Sequence, residues 1–199
     1  MNVPLSYQIS EYDCGPTSVM NAVSFLFDRK KIHPDIITGI YRYCLDGFNY
    51  RGASGVTGTS GDSLRFLAAW FNHYGEQRKF PVRCEYIEEE KVHFRRGSAV
   101  VKCIRKGGCA VLLCWLGCGH YVLLTGLDEE NGLAYLFDPY YVDEPLRRKD
   151  ITPVEDHPME YNRIVPLSRL EDPGRDYYNL GEESIRECLL FEKTGESYG

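Results

Sequence analysis

Residues 8–20 read Gln8-Ile9-Ser10-Glu11-Tyr12-Asp13-Cys14-Gly15-Pro16-Thr17-Ser18-Val19-Met20. Pro16 and Ser18 suit a first helical turn, and Val19, Ala22, Val23 and Leu26 follow at helical spacing. The pattern predicts a helix from Cys14 to about Asp28. It is apolar on most sides after Ser18 and is therefore expected to be central and buried. Its thiol then sits at a helix N-terminus, where unpaired N–H groups and the helix dipole favour a thiolate. Gly15 allows another backbone or a substrate to come close. Gln8 can offer a side-chain N–H to a developing oxyanion, alongside the Cys14 N–H. A lone cysteine is more often an inert buried thiol, so a second segment has to decide.

That segment is Gly117-Cys118-Gly119-His120-Tyr121-Val122 and its continuation to Phe137-Asp138-Pro139-Tyr140. Two β-rich runs, His120–Leu127 and Leu133–Phe137, flank a polar stretch ending in Asn131-Gly132, which is a hairpin signal. A symmetric turn centred near Glu129 sets His120 opposite Asp138. Their even separation keeps both on one sheet face provided no bulge intervenes. An imidazole beside a carboxylate is what a general base needs, because the carboxylate fixes the tautomer and stabilises the imidazolium.

Gln-x5-Cys-Gly heading a helix, Gly-His-Tyr-Val opening a strand and Asp-Pro closing the next one together resemble the papain-like cysteine peptidases of the bacteriocin-processing, double-glycine type. One branch is fused to peptide-exporting ABC transporters, and Asp-Cys-Gly-Pro-Thr-Ser is closer to the branch that stands alone. The resemblance covers roughly residues 5–140. It implies Cys14 as nucleophile, His120 as base, Asp138 as its orienter and Gln8 as oxyanion donor. It also implies a papain-like α+β fold, with a central N-terminal helix packed on an antiparallel sheet, and a peptide or protein substrate. The same constellation serves acyl transfer or amide hydrolysis, and an idle peptide-binding module is a further alternative. No resemblance covers Tyr141 to Gly199, which is read as a C-terminal extension of one domain spanning 1–199.

Composition bounds the rest. The chain has 199 residues, a hydrophobic fraction of 43% and a net charge of −6 without a basic stripe. That suits one globular domain and argues against nucleic-acid binding. The longest apolar run, Ala110–Leu116, is far short of the roughly 20 residues of a membrane span. Gln8 lies so close to Met1 that no signal peptide or propeptide fits before it, so a cytoplasmic protein is expected. The 8 cysteines are then expected to be reduced. Cys103, Cys109, Cys114 and Cys118 cluster in sequence but lack Cys-x2-Cys spacing. They read as buried structural thiols, with no metal and no cofactor expected. Cys118 is a less favoured partner for Cys14 in thiol oxidation.

Helices are also predicted from Pro34 to about Cys44, from Ser60 to about Tyr74 with Gly75 at its C-terminus, and over Ser98–Lys106, ended by Gly107-Gly108. His73 then falls near a helix end. Strands are predicted at Val82–Ile87, Cys109–Leu116, Tyr161–Pro166 and Arg186–Glu192, the last two as extensions of the same sheet. The Gly-rich loop Asp46–Gly61 has no Gly-Lys-Ser/Thr and is read either as a surface loop or as a border of the active-site cleft.

Overall fold

The computed structural model describes residues 3–47, 51–53, 57–142 and 148–195. Among them the helices are α1 (Cys14–Leu26), α2 (Pro34–Cys44), α3 (Gly61–Arg78), α4 (Ala99–Arg105) and α5 (Leu167–Leu170). The strands are β1 (Val82–Glu88), β2 (Cys109–Trp115), β3 (Gly119–Asp128), β4 (Leu133–Phe137), β5 (Thr152–Pro153), β6 (Arg163–Pro166) and β7 (Glu187–Lys193). They form one antiparallel sheet in the order β1-β7-β2-β3-β4-β6-β5, so the fold is α+β.

Helices α1 to α3 cover one face of the sheet. Val19, Ala22 and Val23 of α1 and Leu64, Leu67 and Phe71 of α3 pack there with Val111, Leu123 and Phe191. The opposite face buries Leu112, Val122, Leu124, Leu136, Val165 and Leu190 against Val100 of α4, Leu170 of α5 and Tyr178. Alternate residues of β2 and β3 therefore enter two separate cores. A strand covered on both faces reads as a continuous apolar run, which is why Cys109–Leu116 shows no alternation.

Helix boundaries follow local chemistry. His33 caps α2 by accepting from the Asp35 N–H at 3.2 Å, and Ser60 caps α3 by accepting from the Ser63 N–H at 3.1 Å. Helix α3 does not stop at Gly75 but runs on to Arg78, ending at Lys79 in the left-handed conformation. Gly75 is needed for closeness instead, since a Cβ there would lie 2.9 Å from the Phe80 carbonyl and 3.2 Å from that of Val82. His73 consequently lies inside the helix rather than at its end.

Two sheet details depart from the sequence reading. The β3–β4 hairpin carries a bulge between Leu124 and Gly126, and its register runs Leu123↔Phe137 rather than about Glu129. Extended by one position, that register sets Asp138 level with Val122, diagonal to His120. Because the displacement is an even number of positions, both side chains still share a face. Strand β7 joins the same sheet, as expected, at an interior position. It pairs with β1 on one side and β2 on the other.

Candidate active site

Cys14 is the first residue of α1 and is buried. Ser18, one turn on, donates its hydroxyl to the Tyr121 carbonyl at 2.9 Å, which ties the head of the helix to β3 beside His120. His120 is 5% exposed and Asp138 2%. His120 Nε2 and Asp138 Oδ1 are 2.8 Å apart, which leaves Nδ1 for the thiol side. Burial alone would push the His120 pKa down. The Asp138 charge and hydrogen bond, with a hydrogen bond and charge from Cys14, overcome this and raise it to about 10. Burial likewise opposes ionisation of Asp138, but His120, the Tyr178 hydroxyl and the Tyr140 N–H hold its carboxyl below the usual range.

Asp138 sits just past β4 and is fixed through its backbone. Asn162 accepts from the Asp138 N–H and donates to its carbonyl, both at 2.8 Å. The Gln8 N–H donates to the Pro139 carbonyl at 2.9 Å, so the strand end carrying the acid also anchors the segment leading into Cys14. The Gln8 side chain donates Nε2–H to the Ser10 carbonyl at 2.7 Å. An amide nitrogen carries two hydrogens, so one remains. Its Oε1 is buried and has no hydrogen-bond partner.

Asp13, at the N-cap position, makes no side-chain cap to α1. Its carboxylate turns backward instead, accepting from the Ile9 N–H at 3.0 Å and from the Ser10 N–H and hydroxyl at 2.6 Å each. This closes residues 9–13 into a turn after Gln8 and leaves the first-turn N–H of Cys14 uncapped by that side chain. Burial raises the Asp13 pKa, but these donors outweigh it and the net shift is downward.

The end of the Gly-rich loop borders the head of α1 beside Cys14. A Cβ at Gly15 would lie 2.7 Å from Thr59 Cβ and closer still to its hydroxyl, and a Cβ at Gly58 would lie 3.7 Å from the Tyr12 carbonyl. Thr59 Oγ1 is buried without a partner. Asp46 holds the loop's far end by accepting from the Ser60 N–H at 3.0 Å and its hydroxyl at 2.5 Å. Residues 48–50 and 54–56 of this loop lie outside the described residues.

Of the residues singled out from the sequence, the structure brings Cys14, His120 and Asp138 into one cluster, with Gln8 on the adjoining segment. Sequence reading misses Asp13, Thr59, Asn162 and Tyr178. Asp13 stands at the N-cap position but accepts from the preceding Ile9 and Ser10 rather than from a backbone N–H of α1. No local signal marks Tyr178.

The clustered cysteines do not converge. Cys103 donates to the Cys109 and Phe191 carbonyls at 3.6 and 3.4 Å, Cys109 to the Ala22 carbonyl at 3.8 Å, and Cys114 to the His120 carbonyl at 3.4 Å. Cys118, expected among the buried thiols, is exposed in the turn between β2 and β3. Among the described residues no group of three or more His, Cys, Asp or Glu side chains is placed to hold a metal ion, and no helix is long and apolar enough to cross a membrane.

A family model described as the Peptidase_C39 like family matches residues 1–165. No curated protein matches the chain. The family match includes Gln8, Cys14, His120, Asp138 and Asn162 and stops before Tyr178 and β7.

Proposed function

The chain belongs to the Peptidase_C39 like family, and on that premise we propose that it is a papain-like cysteine peptidase that hydrolyses peptide bonds through Cys14, His120 and Asp138. The carrying observation is the position of His120, bonded through Nε2 to Asp138 at 2.8 Å and coupled on its other side to Cys14 at the head of α1. His120 takes the thiol proton, giving a thiolate–imidazolium pair. The thiolate attacks the scissile carbonyl. The Cys14 N–H and the free Gln8 N–H receive the oxyanion, where losing one donor typically costs about 10²–10³ in turnover. The imidazolium protonates the leaving amine. Water, deprotonated by His120, then releases the acyl group and restores the thiol.

The chain works as one domain, with the extension beyond Pro139 part of it, a reading supported by the place of β7 between β1 and β2. The substrate is a peptide or protein. All eight cysteines are free and seven are buried, which supports a reducing compartment such as the cytoplasm.

The test is the rate of Cys14 alkylation against pH, located by mass spectrometry, in wild type and His120→Ala. Fast labelling at mildly acidic pH that is lost in His120→Ala supports the ion pair. A peptide-library screen should then show turnover in wild type and none in Cys14→Ala. Labelling of Cys14 with an ordinary thiol profile, near pH ~8.5, or turnover surviving in Cys14→Ala, overturns the reading.

A further inference from the structure

Both oxygens of the Asp138 carboxylate are occupied. Oδ1 takes His120 Nε2 and the Tyr140 N–H, each at 2.8 Å. Oδ2 takes the Tyr178 hydroxyl at 2.5 Å and no other donor among the described residues. Tyr178 is fully buried, and its φ of +64° is in the left-handed region that a bulky side chain seldom enters. Such a conformation persists only where the surroundings impose it, and residues held this way concentrate at functional sites.

The surroundings do impose it. The Tyr178 N–H donates to the Trp115 carbonyl at 2.7 Å, and the Trp115 N–H donates to the Asn179 carbonyl at 2.9 Å. Trp115 pairs with Gly119, next to His120, so this clamp and the catalytic histidine share one hairpin. Arg186 closes the far end on the Gly181 and Glu171 carbonyls at 2.9 Å each. Asp176, two residues before Tyr178, accepts from Arg148 at 2.7 Å and Arg169 at 3.2 Å.

We propose that Tyr178 is a positioning residue whose hydroxyl holds the Asp138 carboxylate turned toward His120, so that the segment beyond the family match completes the active site. The inference rests on the peptidase reading above. A buried carboxylate oxygen without a donor either rotates toward one or takes a proton, and both loosen its hold on the imidazolium. The titratable and charged groups facing the pair are His120 from β3, with Cys14 beyond it, Cys114 from β2 and Arg163 from β6. Of these, only His120 hydrogen-bonds to the Asp138 carboxylate.

The experiment uses the full chain and follows both kcat/KM and the Cys14 alkylation rate against pH. In Tyr178→Phe, kcat should fall about 10–100-fold, the range of a hydrogen bond to a charged group, with KM little changed. The acid limb should move to higher pH, because Asp138 now protonates earlier. In an Asp138→Asn background, Tyr178→Phe should cost little more, since its effect runs through the carboxylate. Should Tyr178→Phe fail to fold, 3,5-difluorotyrosine at 178 keeps the ring and donates more strongly, and the acid limb should move to lower pH. Superimposable pH profiles, or a Tyr178→Phe loss equally large in the Asp138→Asn background, overturn the proposal while leaving the peptidase reading intact. An unactivated Cys14 in wild type overturns both.

Discussion

Asp138 reaches His120 from a diagonal position on the sheet, not from directly across it, and still closes to 2.8 Å. The bulge between Leu124 and Gly126 sets that offset, and Pro139 and Asn162 hold the acid where the strand has already ended. The pair is therefore made at the junction of β4 with the Asp138-Pro139 segment, so changes there should act on the chemistry.

Replacing Asp138 with Asn keeps the shape of the side chain but removes the charge that, on the proposed mechanism, stabilises the imidazolium. Turnover should fall by about 10²–10⁴, the usual weight of positioned acid–base catalysis. Steady-state kinetics on the best library peptide checks this, with circular dichroism verifying the fold.

His120 has its pKa raised above the ordinary 6.5, to about 10. Its stabilising contribution is therefore fully present below about 6.5 and is lost as pH rises through about 10. The alkaline fall of kcat/KM should lie in the same window. Asp138→Asn should draw that fall toward neutral pH, because the partner charge is gone. A pH–rate profile of the two proteins reads both limbs.

Gly15 has no room for a methyl group beside Thr59. Gly15→Ala should destabilise the protein by about 1–3 kcal/mol through overpacking and, on the proposed mechanism, depress turnover by displacing Cys14. Thr59→Gly in the same chain should recover at least half of the stability. Thermal or urea unfolding of the single and double variants tests this, and additive losses would show that the two residues do not meet.

Asp13→Ala leaves the Ile9 and Ser10 N–H groups without their acceptor and should cost about 1–3 kcal/mol. The Asp13 pKa lies below its ordinary 3.8, so its contribution is present above about pH 4 and is lost as pH falls through the folded value. The stability difference between wild type and Asp13→Ala should accordingly narrow in acid, as measured by urea unfolding at stepwise lower pH.

The helix carrying Cys14, the His120 strand and the Asp-Pro strand end were legible because each is a short local pattern with a fixed period. The bulge was not, since a single unpaired residue leaves no mark on apolar alternation, and the symmetric turn inferred from Asn131-Gly132 misjudged the register. Gly75 was legible as special but not for the right reason: close packing on strand backbone and helix termination both select glycine. Tyr178 was invisible because its partner lies 40 residues away and its backbone conformation is one that sequence normally assigns to glycine. Asp13 carries a cap-type side chain, and only the three-dimensional turn of residues 9–13 shows that its carboxylate takes the Ile9 and Ser10 N–H groups rather than a backbone N–H of its own helix.

The placement of β7 governs when this protein can exist as a folded object. It is the last of the seven strands among the described residues to leave the ribosome, yet it fills the gap between β1 and β2, pairing Val82 with Lys193 across more than half of the chain's length. Until it arrives, β1 and β2 each keep an unpaired edge of the kind that recruits other chains, and such distant pairings form slowly. The interval before β7 arrives is the period in which a chaperone, or a second unfinished copy, meets an open slot rather than a closed sheet.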